Sequence, residues 1–178
     1  MSDAPPFAIL DLSAEAVEQR IHTLSALLRD CVLDGASIGF VLPMPATASE
    51  AFWRDKVLPG VRARTRLLLV AEAQGAVIGT VQLGLDTPPN QPHRADVAKL
   101  LVHPTQRRRG IARALMQELH HRAASLRRRL LTLDTRTGDP SERLYTALGY
   151  QTVGVIPGYC LDPTSERFDS TTIMYKTL

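Results

Sequence analysis

The most constraining feature of this sequence is the stretch Ala95–Thr135, in which two strand-like apolar runs enclose one amphipathic helix. The first run is ADVAKLLVH (residues 95–103) and the second is LLTLDT (residues 130–135). The segment between them repeats apolar residues at helical spacing, at Ile111, Leu115 and Leu119. Two consecutive strands that are joined through a helix lie parallel in one sheet, with a right-handed crossover. The chain therefore needs a sheet with this helix packed on one face.

Two apolar runs before this unit predict an antiparallel hairpin, and two helices are predicted before the hairpin. RLLLVAEA (residues 66–73) and AVIGTVQLGL (residues 76–85) are strand-like and are separated by a short turn. Apolar residues at helical spacing from Val17 to Val32 predict one long helix. The capping box Thr47-Ala-Ser-Glu50 predicts a second helix, which we expect to end at Pro59-Gly60.

The segment after the βαβ unit predicts one more helix and two final strands. Asp139 is a suitable N-cap for a helix that starts with proline and ends at Gly149. Strands are expected over residues 150–156 and 172–177, around a loop over residues 157–169. This order of elements predicts a mixed α+β fold in which the βαβ unit is the one clear parallel crossover.

Length and composition agree with one globular domain. The chain has 178 residues, of which 44% are apolar and 22% charged, so disorder over most of it is excluded. Roughly 70% of the unfolded surface is buried in folded chains of this length, and we expect one domain over residues 1–178. The two cysteines, Cys31 and Cys160, form neither a disulfide framework nor a zinc-binding pattern, so we expect no metal site.

The absence of targeting signals constrains the cellular location, and the net charge constrains the class of partner. The N-terminal residues lack a signal-peptide pattern, and no apolar stretch approaches the ~20 residues that cross a bilayer. We therefore expect a cytoplasmic protein with reduced thiols. The net charge of +3 and pI of about 9.1 leave three partners: nucleic acid, an anionic membrane or a phosphate-bearing small ligand.

Basic residues concentrate in the loop His103–Arg113, where the first strand of the βαβ unit ends and its helix begins. The first backbone N–H groups of a helix lack internal partners and carry partial positive charge. Gly110 lets an anion approach these groups closely, and the neighbouring arginines add full charges, which favours a pyrophosphate ligand. The loop lacks the P-loop and dinucleotide-binding patterns. A solvated arginine cluster is the alternative, and the later run Arg127–Arg129 is interpreted as surface charge at the other helix end.

These residues resemble a known family. Arg107-x-x-Gly110-x-Ala112, between a strand and a helix, resembles the coenzyme A pyrophosphate motif of the GNAT N-acetyltransferases, and Leu144-Tyr145-x-x-x-Gly149-Tyr150 resembles another family segment. The resemblance implies the GNAT fold, with a central mixed, mostly antiparallel sheet, helices on both faces and one parallel βαβ unit. A closer resemblance is to the tabtoxin-resistance acetyltransferases, carried by residues 35–40, 94–100, 133–135, 157–160 and 175–178.

The resemblance implies transfer of an acetyl group from acetyl-CoA to the amine of a small molecule, by direct attack in a ternary complex. In this family the strand before the basic loop binds the pantetheine arm, and the Val102 N–H would hold the acetyl oxygen. Gly138 stands where many members carry asparagine, which puts one contact to coenzyme A in doubt. The implied acetyl-CoA contacts are Leu101, Val102, Arg107, Arg108, Arg109, Gly110, Ile111, Ala112, Arg113 and Tyr145.

Four side chains are candidates for moving protons. Tyr145 resembles the family tyrosine beside the thioester sulfur and is assigned as general acid. Asp96 and Asp134 match carboxylates of the tabtoxin-resistance group, and each either accepts the amine proton or binds the substrate ammonium. Asp134 lies inside LLTLDT, where we expect the partial desolvation that suits a base. His103 is a further candidate, although a histidine at a strand end is more often structural.

The expected acceptor pocket lies between the first two helices and the last strands. Ser37 and Phe40 would contact the acceptor on one side and Tyr159 on the other, with Asp96 and Asp134 near its ammonium group. The subgroup resemblance suggests a small amino-acid-like acceptor, such as the β-lactam amino acid tabtoxinine, and hence a role in toxin or antibiotic resistance.

Other interpretations stay open at this point. A coenzyme A sensor or a basic binding module without turnover also fits the basic loop. No aromatic residue interrupts Gln106–Arg113, so neither nucleic acid nor a membrane is the expected partner. A homodimer remains open, since many folds of this kind pair through late strands. Trp53 is interpreted as a core residue, and Cys160 as a bystander because no adjacent histidine activates it.

Overall fold

The computed structural model describes residues 6–178. Its strands are β1 (Ala8–Asp11), β2 (Arg66–Ala73), β3 (Ala76–Gly84), β4 (Arg94–Val102), β5 (Leu130–Arg136), β6 (Gln151–Leu161) and β7 (Phe168–Thr177). Its α-helices are α1 (Ala14–Gln19), α2 (Ile21–Leu33), α3 (Ala46–Ala51), α4 (Leu58–Arg62), α5 (Ile111–Ser125) and α6 (Pro140–Ala147). A π-helical turn (Phe52–Val57) joins α3 to α4, and a 3-10 turn (Pro104–Gln106) precedes α5.

The strands form one sheet in the order β1-β2-β3-β4-β5-β7-β6. β4 and β5 are parallel, and every other neighbouring pair is antiparallel. Helix α5 carries the crossover between β4 and β5. The predicted βαβ unit, the hairpin of β2 and β3, and the mixed, mostly antiparallel sheet are therefore confirmed.

Helices cover both faces of this sheet. On one face the apolar stripe of α5 packs against buried strand residues that include Val97 and Leu133. On the other face α1 to α4 pack against β2, with Leu24 and Trp53 in contact with the side of the sheet that carries Leu68. Trp53 is fully buried, which confirms its assignment to the core.

The second face of the sheet is left uncovered at β4 and β5. Ala95 and Val97 are buried in the α5 core, whereas Asp96 and Ala98, which point the opposite way, are exposed. An exposed alanine in a central strand means that no helix within residues 6–178 packs over this part of the sheet. We call the uncovered surface the open floor; it is formed by Asp96, Ala98, Thr132 and Asp134.

β4 and β5 are paired only at their starts. The register joins Arg94–Asp96 to Leu130–Thr132, and beyond these residues the two strands separate. The C-terminal half of β4 is therefore hydrogen-bonded to β3 on one side and faces a wedge-shaped opening on the other. This wedge leaves backbone groups of a central strand free for a ligand.

A β-bulge interrupts the pairing of β4 with β3. The register passes from Gln82 opposite Ala98 to Thr80 opposite Leu101, so β4 contains one extra residue at this point. Lys99 lies in the bulge with a φ of +53°, a conformation that few residues other than glycine adopt. The Thr80 hydroxyl donates a hydrogen bond to the Lys99 carbonyl at 3.0 Å and stabilises this geometry.

The helices before the hairpin differ from their predicted bounds. The single helix predicted from Val17 to Val32 is two helices, because the backbone leaves helical geometry at Arg20, with φ −109° and ψ 8°. Helix α3 begins directly after Pro45, without a side-chain cap from the Thr47 box. Pro59 does not end the second helical segment, because it lies in the first turn of α4, where its missing N–H costs no hydrogen bond.

The last two strands are longer than predicted. They continue through most of the region expected as a loop, with Cys160 paired to Asp169 and Leu161 paired to Phe168. A register shift between Ile156 and Cys160 absorbs the proline that would otherwise interrupt the hydrogen-bond ladder. The connecting turn is reduced to residues 162–167.

Two polar side chains have structural roles that were not predicted. Asp139 occupies the N-cap position of α6 without capping it, and its carboxylate accepts a hydrogen bond from Arg136 at 2.9 Å instead. Arg128 donates to the carbonyl oxygens of Leu85 at 3.1 Å and Arg94 at 3.0 Å. The interpretation of Arg128 as surface charge is therefore wrong, since it ties two loops to the sheet.

Candidate active site

The wedge between β4 and β5 continues into a cleft of about 760 Å³. Its walls are the end of α2 with the following loop, the second half of β4, the start of α5, the end of β5 and the start of α6. The predicted site residues that line it are Ser37, Leu101, Val102, Arg107, Arg108, Gly110, Ile111, Ala112, Arg113, Asp134 and Tyr145. The structure does not bring Phe40, Asp96, Arg109 or Tyr159 to this wall.

The backbone of Val102 faces the cleft. The N–H of His103 donates to the Ile78 carbonyl of β3 at 2.9 Å, and alternate residues of an antiparallel strand point to opposite sides. The N–H of Val102 therefore points away from β3, into the wedge that β5 has left. Arg107 fixes the carbonyl of the same residue, donating from Nε at 3.2 Å. The free N–H is the donor that the sequence predicted for the acetyl oxygen.

The first turn of α5 forms the second feature of the cleft. Gly110 is its N-cap residue with a φ of +82°, where a residue with a Cβ would be strained. No side chain in residues 6–178 caps this helix, so the N–H groups of its first turn are directed at the cleft. An uncapped helix N-terminus beside arginines is the site expected for a pyrophosphate.

Arg107, Arg108 and Arg109 differ in their contacts, and among these three only Arg108 both lines the cleft and is free of a side-chain partner within residues 6–178. Arg107 pairs with Asp34 at the end of α2 and with the Val102 carbonyl, so it fixes the loop. Arg108 lines the cleft and is exposed, with a left-handed φ of +64°. Arg109 is hydrogen-bonded to Gln106 and lies outside the cleft wall. Arg108 therefore has the arrangement of a ligand-binding arginine, which Arg109 lacks.

Tyr145 lies at the inner end of the cleft, on α6. Its ring is 6% exposed and packs edge-to-face on Tyr150, with ring centroids 5.6 Å apart. Burial, together with the negative charge of Asp134, raises the pKa of the Tyr145 phenol above its ordinary value. The phenol is therefore protonated at neutral pH and available as a proton donor.

Asp134 shares the cleft with Tyr145, on the open floor. The expectation that its neighbours Leu131 and Leu133 desolvate it is wrong, because side chains alternate along the strand. The two leucines face the α5 core while the carboxylate is exposed on the opposite side. The Thr171 hydroxyl donates to Oδ2 of Asp134 at 3.3 Å. Asp134 is thus a solvent-accessible carboxylate within the same cavity as the candidate acid.

Asp96 and His103 are positioned differently from the other candidates. Asp96 lies on the open floor but outside the cleft, where its carboxylate pairs with Arg94 and accepts a hydrogen bond from Thr132. His103 Nε2 lies 3.3 Å from Asp30, and Nδ1 lies 2.8 Å from the Thr105 hydroxyl. His103 therefore has a structural environment, and Asp96 borders a second cavity.

The expected acceptor wall is assembled in part. Ser37 lines the cleft, and its hydroxyl lies 3.4 Å from the Cys160 sulfur, so the loop after α2 and the β6–β7 hairpin meet there. Phe40 packs edge-to-face against Phe52, with centroids 5.1 Å apart, and supports this loop from behind. Tyr159 is 52% exposed and lies outside the cleft wall.

Lys99 lines the cleft and was not predicted. Its ammonium donates to the Ile38 carbonyl at 2.7 Å and lies 5.8 Å from the ring centroid of Phe40 and 5.9 Å from that of Phe52. Burial lowers its pKa from the ordinary value, although the nearby Asp134 opposes the shift. The ammonium therefore anchors the loop that covers the acceptor end of the cleft. The sequence signal that could have identified Lys99 is a single charged residue inside the apolar run VAKLLV.

Two absences apply to residues 6–178 alone. No group of three or more histidine, cysteine, aspartate or glutamate residues there is arranged to hold a metal ion. Within the same residues, no helix has the length and apolar character that a membrane crossing requires.

Comparison with known proteins identifies the family. The model of the acetyltransferase (GNAT) family matches residues 26–150. The chain belongs to the GNAT family. A related N-acetyltransferase of Azospirillum brasilense, uncharacterized and encoded in the hisH-hisA intergenic region, is 29% identical over 118 residues, 65% of this chain and 68% of that protein. Membership makes the chain an acetyltransferase, and the acyl donor of such enzymes is in general acetyl-CoA.

Solved GNAT structures have the same fold. A ribosomal-protein-alanine N-acetyltransferase from Brucella melitensis superposes with a TM-score of 0.77 at 21% identity, covering 96% of this chain and 99% of that one. The yncA protein from Salmonella typhimurium, determined with its cofactor acetyl-CoA, superposes with a TM-score of 0.76 at 19% identity, covering 97% and 94%. The GNAT fold that the family resemblance implied is therefore confirmed.

The two arginine environments predict different effects on acetyl-CoA binding. Arg108→Ala should weaken binding about tenfold, because one charge-assisted hydrogen bond contributes ~1.5 kcal/mol or more. Arg109→Ala removes the same type of side chain from outside the cleft wall. The acetyl-CoA dissociation constant of this variant should stay within about twofold of that of the unmodified protein. Isothermal titration calorimetry measures both. Equal losses for the two variants would contradict the assignment.

Proposed function

We propose that this GNAT enzyme transfers the acetyl group of acetyl-CoA to the amine of a small, amino-acid-like molecule, by direct attack in a ternary complex. The observation that carries the proposal is that one cleft contains the Val102 N–H, the uncapped start of α5, Tyr145 and Asp134. These are an oxyanion donor, a pyrophosphate site, a protonated acid and an accessible carboxylate. A screen of amines with acetyl-CoA, following free thiol release, tests the proposal directly.

The chain offers binding sites for the pyrophosphate and the pantetheine arm of the donor. The N–H groups at the start of α5, with Arg108 and Arg113, would hold the pyrophosphate, and the free edge of β4 would hold the pantetheine arm. Arg143 of α6, which was not predicted, lines the cleft opposite this loop and adds positive charge. Bound acetyl-CoA supplies the reactive thioester.

The side chains then divide the proton transfers between them. Asp134 accepts a proton from the acceptor ammonium, and the amine nitrogen forms a bond to the acetyl carbon. The Val102 N–H stabilises negative charge on the acetyl oxygen. As the carbon–sulfur bond breaks, Tyr145 donates its proton to the sulfur. The nitrogen then loses its second proton, which restores the Tyr145 phenol, so the products are an N-acetyl amine and a free thiol. The raised pKa of the phenol supports this assignment, since it keeps the proton available.

Removal of the Tyr145 hydroxyl should affect turnover and leave donor binding intact. We expect Tyr145→Phe to lower kcat by about 100-fold, the usual contribution of a general acid, with the acetyl-CoA dissociation constant unchanged within about twofold. Tyr150→Phe is the matched control, since its hydroxyl lies 3.1 Å from His120 Nε2 and its residue does not line the cleft. Similar kcat values for the two variants would rule out Tyr145 as the acid.

Asp134 and Asp96 are distinguished by their pH dependence. In the unmodified enzyme kcat/KM should fall at low pH, as the base becomes protonated. Asp134→Asn should remove this acidic limb and lower kcat/KM by about 100-fold, whereas Asp96→Asn should keep the limb. A limb that disappears in Asp96→Asn alone would assign the base to Asp96. A raised acceptor KM in Asp134→Asn at all pH values, with the limb retained, would assign Asp134 to ammonium binding.

Shared sequence segments support a proposal for the acceptor, and free thiols support one for the location. Segments shared with the tabtoxin-resistance acetyltransferases favour an amino-acid toxin or antibiotic as acceptor, with resistance as the biological role. We propose a cytoplasmic location, supported by Cys31 and Cys160, which are both free thiols. The small accessible cleft supports a small-molecule acceptor.

We also propose a homodimer that forms through β6. This strand is at the edge of the sheet, and its apolar side chains are exposed on both faces, with Val153 at 66%, Val155 at 52% and Ile156 at 44%. An edge strand with unpaired backbone groups and exposed apolar side chains pairs readily with another strand. A second copy of the same strand would bury both.

The proposed dimer is tested by one substitution in β6. Val155→Lys should shift the mass measured by sedimentation equilibrium from dimer to monomer, because a charge at a paired apolar face disfavours association. Leu126→Lys is the matched control, since Leu126 is 46% exposed at the far end of α5. A monomeric unmodified protein at micromolar concentration would contradict the proposal.

A further inference from the structure

A second cavity, of about 540 Å³, lies on the same face of the sheet as Asp134 and has no role in the steps above. Its floor is a row of residues paired across neighbouring strands, in which Arg66 of β2 lies opposite Gly84 and Gly84 lies opposite Asp96. Gln82, next along β3, also lines it. Because Gly84 has no side chain, the space between Arg66 and Asp96 is open. The volume is within the range of small-ligand sites.

Arg66 and Gln82 line this cavity and are hydrogen-bonded to each other. Gln82 is 1% exposed, its Oε1 accepts a hydrogen bond from Arg66 Nη1 at 2.6 Å, and its buried Nε2 has no partner. Arg66 forms no ion pair with a carboxylate in residues 6–178 and has free guanidinium N–H groups. Burial lowers the pKa of Arg66, because its charge is partly removed from water. Gln82 therefore holds the guanidinium in place, and the remaining N–H groups of Arg66 have no carboxylate acceptor within residues 6–178.

Acidic residues on the opposite wall restrict the ligand. Asp86 and Asp96 line the same cavity, and the Asp96 carboxylate is already paired with Arg94 and accepts a hydrogen bond from the Thr132 hydroxyl. A multiply charged anion such as phosphate would be repelled by Asp86. A ligand group with a single negative charge, such as a carboxylate, is therefore favoured at Arg66.

The cavity and the active-site cleft share one wall residue. Ala98 lines both of them, and its small, exposed side chain leaves the passage along the open floor free. Three strand spacings separate Arg66 from Thr132, and Asp134 lies two residues further along β5. The Cα atoms of Arg66 and Asp134 are therefore roughly 16 Å apart. A ligand that spans them needs several bonds between its carboxylate and its amine.

We infer that this second cavity binds the carboxylate of the acceptor through the Arg66 guanidinium, which Gln82 holds in place, while the acceptor amine several bonds away reaches Asp134. The inference rests on the proposed function. It identifies the acceptor class as linear ω-amino carboxylates, including amino acids with a side-chain amine. Bidentate recognition of a carboxylate by arginine supplies the selectivity.

The test compares two amines that differ in the carboxylate, 6-aminohexanoate and hexylamine. In the unmodified enzyme kcat/KM for 6-aminohexanoate should exceed that for hexylamine at least tenfold. Arg66→Met, which keeps the apolar stem of the side chain, should bring this ratio close to one. Arg54→Met, at an exposed arginine outside the cavity, should keep the ratio. A ratio near one in the unmodified enzyme, or a ratio preserved in Arg66→Met, would overturn the inference.

A second variant keeps the test decisive if Arg66→Met does not fold. A Cβ at Gly84 would lie 3.6 Å from the Asp96 carbonyl oxygen and 3.8 Å from the Asp96 Cβ, which are ordinary contacts. Gly84→Val therefore fills the cavity while Arg66 is retained, and it should also abolish the preference for 6-aminohexanoate. If circular dichroism shows that Arg66→Met is unfolded, Gly84→Val decides, and a preserved preference there overturns the inference.

Binding without acetyl-CoA separates the two proposals. Calorimetry of 6-aminohexanoate and hexylamine should detect a preference of at least tenfold that Arg66→Met removes. If no amine in the screen releases thiol but this preference is found, the proposed reaction is wrong and the carboxylate site stands. If amines are acetylated and neither binding nor turnover depends on Arg66, the reaction stands and the carboxylate site is wrong.

Discussion

The structure depends on the separation of two parallel strands after three residues of pairing. β4 and β5 are joined at Arg94–Asp96 and Leu130–Thr132 and then part, although both belong to the interior of a seven-stranded sheet. Backbone groups in such a position are almost always paired, so their exposure is costly unless a ligand replaces the missing strand. The wedge is sustained by α5 on one side and α6 on the other, whose N-terminal turns both face it. The donor site is therefore a direct consequence of the sheet topology.

The features that were predictable from the sequence are local in the chain. The basic loop, Gly110 and the following helix lie within a dozen residues, and their combination requires an uncapped helix N-terminus next to a strand. The spacing of the apolar residues predicted the βαβ unit and the hairpin, because each of these lies within one short stretch of the chain. Tyr145 was found through the segment around it, and its position in the cleft agrees with that assignment.

The features that were missed depend on register or on contacts between distant segments. Asp96 and Asp134 look equivalent as acids in strands, yet the point at which β4 leaves β5 puts only Asp134 beside Tyr145. Lys99 is bound to Ile38, 61 residues earlier, and Arg66 to Gln82 on the neighbouring strand. No local pattern encodes such contacts. The extension of β6 and β7 was missed because a bulge can carry a proline through a strand.

The bulge at Lys99 has a consequence for how the strand can change. Val97 packs into the core under α5, whereas Leu101, four residues later, packs into the core under α2 and Trp53. In a regular strand these two side chains would point to the same face of the sheet. The extra residue in the bulge turns Leu101 to the opposite face. One strand thus contributes to both hydrophobic layers and still turns the Val102 amide toward the donor. A one-residue deletion here would exchange inside for outside along the whole second half of β4. The number of residues in β4 is consequently more constrained than the identity of its side chains. We expect related enzymes to differ in this strand by substitutions and not by insertions or deletions.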